Sequence, residues 1–313
     1  MLLMLLACTG PETNPDDTGP AGDSTDSGAQ DAWPEGLAEL AELSSGECPE
    51  MSTSGTTTFT SSGETRTVTV LVPKDVSSDS QVVFFFHGLM DPGSTPDPTG
   101  YMATALNLQQ VADDNDAILI LPESPTRTEF GQTFFLWDVE GSTDHDMVLF
   151  DDLRTCAYQA HGPDMSRLSA LGFSGGALFT TLVASQRADT LSSFVEMSGG
   201  ADLDVVISDS LVAAYETPSW TLPALLWSGG AEDVWPNSSF ALVDFSAGTD
   251  TLQDNLVGDG HFVVRCLHEQ GHTITNPEWS SAITWVNAHR FGQGSPFDGD
   301  ISALPSTCEV AAR

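Results

Sequence analysis

The 313 residues carry 45 acidic against 9 basic side chains, a formal net charge of −36. A surface this acidic repels phosphate backbones and anionic lipid, which excludes nucleic acid and a bare membrane surface as partners. Residues 1–50 hold 11 of the acidic and none of the basic side chains, so most of the excess lies further along the chain, where it reads as a device for solubility in a salty medium.

The chain opens on MLLMLLACTG. Leu5-Leu6-Ala7-Cys8 resembles the lipobox of bacterial lipoproteins, although no Lys or Arg precedes the short apolar run. The resemblance implies a signal segment over 1–8, lipidation at Cys8, and export to the cell surface with the membrane reached only through that anchor. Residues 9–45 read as an acidic, disordered linker. The run from Thr9 to Gly36 is built mainly of Thr, Gly, Pro, Asp and Ser, too little apolar surface to offset the entropy of ordering. Residues 46–313 have the size of one α/β domain, and no other stretch reaches the apolar length of a membrane span.

Four cysteines remain: Cys48, Cys156, Cys266 and Cys308. An even number in an exported chain predicts two disulfides, with three possible pairings. Cys48 and Cys308 bracket the domain, which favours a clamp between its ends. None of the spacings suits zinc.

From residue 65 onward, β-rich apolar runs alternate with amphipathic stretches. Residues 65–73 alternate in polarity and predict a strand near one sheet edge. The continuous apolar runs 81–88 and 117–122 predict strands covered on both faces, with a helix over 102–114 between them. The 3.6-residue spacing of 147–162 predicts a helix capped by Asp144 or Asp146. A strand over 167–173 and a helix over 176–186 follow. Strands 192–200 and 222–230 end in glycine pairs, and 261–269 and 277–291 are the last strand and the last helix. The pattern predicts an α/β fold, a mostly parallel sheet flanked by helices on both faces. Only about twenty residues separate the strand ending near Gly200 from the next, too few for a large cap domain.

Gly172-Phe173-Ser174-Gly175-Gly176 fits G-x-S-x-G and lies between a predicted strand and a predicted helix. A serine on such a turn is lifted above the sheet, with the helix N-terminus aimed at developing negative charge. Its hydroxyl needs a base to remove the proton. Of seven histidines, His272 is best placed, after Gly271 and between the last strand and the last helix. His261 and His268 fall in or at the end of that strand and read as core residues. His289 reads as structural, and His145 and His161 as helix-end caps. The base needs a carboxylate to orient it. Asp233, after a strand end at Gly229-Gly230, is the first choice, with Glu232 and Asp202 as rivals. The order Ser174, Asp233, His272 is that of the α/β-hydrolase fold.

Acyl transfer also needs N–H groups facing the oxyanion. Phe86-His87-Gly88-Leu89 closes an early buried strand, and the backbone amides of Leu89 and Gly175 are the candidates, with His87 shaping the loop. Trp137, Trp235 and Trp279 are the aromatic candidates for lining the cleft. The acidic cluster Asp144–Asp152 reads as helix capping and solvation, not as a metal site.

The segments HGLMDPGS, DHDMVLFDDL, DMSRLSALGFSGGALFTTLVA, GGAEDVWP and EQGHTI together resemble the polyhydroxybutyrate depolymerase and feruloyl or acetylxylan esterase branch of the α/β-hydrolases, over residues 65–291. The residue after Ser174 is Gly where these relatives often carry Asn or Ala, and the segment after Asp233 is one residue shorter before its proline. The resemblance implies a secreted, cofactor-free carboxylic-ester hydrolase. It would work through an acyl ester on Ser174 and act on small esters, polyester, or feruloyl and acetyl groups on polysaccharide. Two other readings stay open: a serine peptidase of the same fold, and a non-catalytic binding lipoprotein.

Overall fold

A computed structural model describes residues 33–129, 131–203, 211–237 and 239–312. The expected signal segment with Cys8, and the linker up to residue 32, lie outside these residues.

Apolar and β-branched runs build a nine-stranded sheet. β1 (Gly55–Ser61) and β2 (Glu64–Leu71) form an antiparallel hairpin at one edge. Next in chain order come β3 (Gln81–Phe86) and β4 (Ala117–Pro122), every residue of which is buried, as the unbroken apolar runs require. A small hairpin, β5 (Thr126–Glu129) and β6 (Gln132–Phe135), stands apart from the sheet. β7 (Leu168–Phe173), β8 (Ser193–Met197) and β9 (Ala224–Ser228) continue the sheet. A second hairpin, β10 (Val234–Asn237) and β11 (Phe240–Asp244), precedes β12 (Val263–Leu267) and β13 (Cys308–Val310). The order across the sheet is β1-β2-β4-β3-β7-β8-β9-β12-β13. The run from β4 to β12 is parallel, and antiparallel strands finish both edges.

Among the described residues, six α-helices connect these strands: α1 (Pro98–Ala105), α2 (Leu108–Asn115), α3 (His145–His161), α4 (Gly175–Gln186), α5 (Phe245–Gly258) and α6 (Asn276–Ala288). The single helix expected over 102–114 is two, because Asn107 takes a left-handed conformation, φ 50°. Asp144 occupies the N-cap of α3 but its side chain makes no capping bond. Asp146 turns inward to Arg66, at 2.6 Å. The core packs rings on both sheet faces: Phe84 against Phe150, Phe86 against Phe179, and Trp285 against Phe297. Each such side chain contributes about 2–3 kcal/mol through burial. Among the described residues, no separate cap domain lies between β8 and β9.

Residues 34–45 depart from the linker expectation, for they lie along α3 as part of the domain. Leu37 is buried. The Arg154 guanidinium donates to the carbonyls of Ala38 and Glu39, and the Thr155 hydroxyl to that of Ala41. Ser44 donates to Asp152 through both its amide and its hydroxyl. The segment is ordered by polar groups of α3 reaching its backbone, a device without apolar periodicity.

The disulfides are Cys48–Cys156 and Cys266–Cys308. The expected clamp between Cys48 and Cys308 is therefore corrected. The ends are secured separately, one to α3 and one across the β12–β13 pair, where Cys266 and Cys308 stand opposite each other.

Candidate active site

β7 ends at Phe173, and the chain turns at once into α4. Ser174 occupies that turn at φ 56°, ψ −125°, a conformation a side-chain-bearing residue adopts only under constraint. The constraint comes from close backbone packing. A Cβ on Gly172 would lie 2.2 Å from the Gly176 oxygen, and one on Gly176 would lie 2.0 Å from the Phe86 oxygen. The Ser174 amide donates to Met197 O at the end of β8. Its hydroxyl is thereby presented at the C-terminal edge of the parallel strands.

The loop between β12 and α6 carries His272 to that hydroxyl. Ser174 Oγ lies 2.9 Å from His272 Nε2, and His272 Nδ1 lies 2.8 Å from Asp233 Oδ1. The ring stacks on Phe245 at 4.3 Å and on Phe173 at 4.9 Å, leaving 15% of the side chain exposed. Asp233 is fully buried after β9. Its Oδ2 accepts from the Ser198 hydroxyl at 2.9 Å and from the Gly229 amide at 2.7 Å. The two loops touch directly, with Gly271 N donating to Gly229 O.

The third wall is the loop after β3. His87 is buried, and burial lowers its pKa to about 4, so the ring is neutral at pH 7. Its Nε2 accepts from the Ser124 amide, so Nδ1 carries the proton and donates to Gly88 O at 2.7 Å. Trp137 Nε1 donates to His87 O. A Cβ on Gly88 would lie 3.1 Å from that of Ser174, a tight contact. The Leu89 amide makes no hydrogen bond to the described residues. Gly175 opens α4, and a Cβ on it would lie 3.4 Å from Leu89 N. Both residues line the same pocket of about 130 Å³, together with Ser174 and His272.

The structure thus brings Ser174, His272, Asp233, Leu89 and Gly175 together. Trp235 lines the pocket with them. The other two tryptophans do not. Trp137 is 1% exposed and stacks on Phe179 in the core, while Trp279 packs on Phe85 away from the cleft. Of the rival carboxylates, Glu232 is exposed, and Asp202 accepts from Tyr215 and Asn255. His268 lies beside Trp227 with its ring tilted, and burial lowers its pKa. His145 pairs with Glu64, and His161 bonds to Met51 O. Asp151 and Asp152 are taken up by Arg187, and by Ser44 and Ser61.

Sequence reasoning missed Phe245, Ser198 and the pocket residues Met90, Leu178, Leu211 and Val243. A signal existed for Ser198, in the Ser198-Gly199-Gly200 strand end, and for Phe245, directly after the capping Asp244.

No protein-family model matches the chain, and no curated protein matches it in sequence. Solved structures do match in shape. Native sOPH superposes with a TM-score of 0.67 at 17% identity, covering 84% of this chain and 97% of that one. A pOPH variant in complex with pNPB gives 0.64 at 16%, covering 84% and 96%. An S-formylglutathione hydrolase from Agrobacterium tumefaciens gives 0.52 at 14%, covering 77% and 95%. The fold of this chain is the α/β-hydrolase fold, with a mostly parallel sheet.

Proposed function

We propose that the protein is a serine esterase. The observation that carries this reading is the unbroken chain Ser174 Oγ, His272 Nε2, His272 Nδ1, Asp233 Oδ1, at 2.9 and 2.8 Å, beside the Leu89 and Gly175 amides. Ser174 Oγ attacks the ester carbonyl carbon as its proton passes to His272 Nε2. The carbonyl oxygen, now anionic, accepts from the two amides, each of which is worth about 3–4 kcal/mol in such a site. Collapse breaks the carbon–oxygen bond to the leaving alcohol, which takes the proton from His272 and leaves an acyl ester on Ser174. A water then gives a proton to His272, attacks the acyl carbon, and releases the acid as Ser174 recovers its hydrogen. Asp233 holds the imidazole by its Nδ1–H throughout.

The pocket, of about 130 Å³, is walled mostly by apolar side chains. It suits an acyl group of a few carbons, carried on a small alcohol or on a polymer that stays outside. The neighbouring structures solved as a hydrolase and with pNPB support ester chemistry at this fold. The two disulfides fit an oxidising compartment, and among the described residues no helix is long and apolar enough to cross a membrane. We also propose acylation at Cys8, on the Leu5-Leu6-Ala7-Cys8 motif.

Turnover of a short p-nitrophenyl ester by the purified protein tests the reading. Ser174→Ala should lower kcat by at least about 10³-fold with the fold intact. Near-wild-type turnover in that variant would remove Ser174 as the nucleophile.

A further inference from the structure

Building on the esterase reading, we infer that this site selects its esters by charge: it accepts neutral and cationic esters and turns away anionic ones. The inference rests on where the few cations of this chain are placed and on what surrounds the pocket mouth.

Among the described residues, no Lys or Arg lines the pocket, and each arginine is engaged elsewhere. Arg66, Arg127, Arg187, Arg265 and Arg290 each pair with an aspartate. Arg154 is spent on the Ala38 and Glu39 carbonyls, and Arg167 donates to Asp79 O. Lys74 is exposed, but it follows β2 at the end of the sheet opposite Ser174, where Asp75, Asp113 and Asp116 surround the same crevice. Arg265 is bonded to Ser228 and Asp250 and does not line the pocket.

Residues adjacent in the chain to the pocket lining and to the Asp233–His272 pair carry the opposite sign. Asp91 follows the pocket residue Met90, and Asp244 stands between Val243 and Phe245, which both line it. Glu232 precedes Asp233, and Glu269 lies three residues before His272. All four are exposed, and none has a cationic partner among the described residues. Glu232 and Glu269 belong to the two touching loops. A Cβ on Gly271 would lie 3.4 Å from Glu232 Cβ, and one on Gly230 would lie 3.4 Å from Glu269 Cγ. Exposed carboxylates on the segments that carry the site, with no cationic partner among the described residues, bias the local potential negative, which concentrates cations and depletes anions there. An anionic ester would meet that field on entry and find no donor cation inside. The same field acts on the product. The acid released from the acyl-serine loses its proton to solvent above about pH 4, and as an anion it is driven out, which limits product inhibition.

The test uses three acetate esters of phenols, one neutral, one bearing a carboxylate and one bearing a trimethylammonium group. Each is followed as kcat/KM between about 0.01 M and about 1 M ionic strength, over which the screening length falls from about 30 Å to about 3 Å. Each substrate is compared with itself, so differences in leaving-group reactivity drop out. The expected result is a rise of about tenfold for the anionic ester, a fall of similar size for the cationic one, and a flat response for the neutral one. In the triple variant Asp91→Asn, Glu232→Gln, Glu269→Gln, both slopes should flatten while neutral-ester turnover holds. Three parallel salt responses in the wild-type protein would overturn the inference and leave the esterase reading standing. Absence of turnover on all three esters would instead sink the esterase reading, and this inference with it.

Discussion

His87 Nδ1 donates to the carbonyl oxygen of Gly88, 2.7 Å away. That carbonyl and the Leu89 N–H belong to one planar peptide unit, and in a trans peptide they point in opposite directions. Fixing the oxygen on His87 therefore fixes where the Leu89 hydrogen points. His87→Ala should free the peptide to rotate and lower kcat by about 10²-fold, the scale of a lost oxyanion donor, with a much smaller change in KM. Steady-state kinetics on a short ester check this. A rise in KM at constant kcat would assign His87 to substrate binding.

Asp233 is held at both oxygens, by His272 on one side and by Ser198 and Gly229 on the other. Asp233→Asn should reduce kcat by on the order of 10³-fold or more at neutral pH, because the imidazole loses its proper tautomer. Ser198→Ala removes one of the two hydrogen bonds on Oδ2, so its loss should be nearer tenfold, since a bond to a charged group is worth roughly 1.5–3 kcal/mol. Kinetics of both variants, with circular dichroism to confirm folding, set the order. Equal losses would mean that Ser198 does more than orient the acid.

The parts of this site that could be read from the sequence are those whose signal is local. The turn at Ser174 needs two glycines within five residues and a strand and helix on either side, all visible in one short segment. The parts that could not be read depend on packing between distant segments. β1 escaped because Thr, Ser and Gly look like loop residues until β2 pairs with them. α5 escaped because Gly248 interrupts a weak pattern. A Cβ on that glycine would meet the end of the Leu203 side chain. Trp137 was misassigned to the cleft for a related reason. An aromatic side chain in an irregular loop can turn either way, and this one turns inward to reach the His87 carbonyl.

Glu278 gives the domain a pH dependence with a definite sign. Burial pushes its pKa up to about 8. It faces His268 Nε2 at 3.5 Å and feels Asp233 nearby. A carboxyl raised above its unfolded value contributes stability that is fully present below that unfolded value and is lost as pH rises through about 8. Glu278→Gln keeps an acceptor for the Thr275 amide and cannot ionise. Its melting temperature should therefore gain on the wild type as pH is raised from about 5 to about 9. A pH-independent difference between the two would show that Glu278 is ionised across that range.

Cys48–Cys156 closes a sequence separation of 108 residues. Replacing both cysteines by serine should lower unfolding stability by about 2–4 kcal/mol through the unfolded chain's regained freedom. Ester turnover at room temperature should be almost unchanged, because neither residue touches the pocket. Urea titration gives the first quantity and initial rates the second. A large loss of rate would mean that α3 transmits the cross-link to the site.

The way residues 34–45 are laid on the domain decides where a pull on the upstream chain would be felt. Gly36 sits beside Trp220 and Phe291, and Ala38 is bonded to Asp189. These neighbours stand at the N-terminal edge of the parallel strands, the edge opposite Ser174. A pull entering there would meet the hydrogen bonds to Arg154, Thr155 and Asp152 of α3, and then the Cys48–Cys156 link. None of these contacts belongs to the loops that hold Ser174, Asp233 and His272. Drag on the domain, whether from flow or from a bulky substrate, would stretch the back of the molecule and leave the reacting distances at the front as they are.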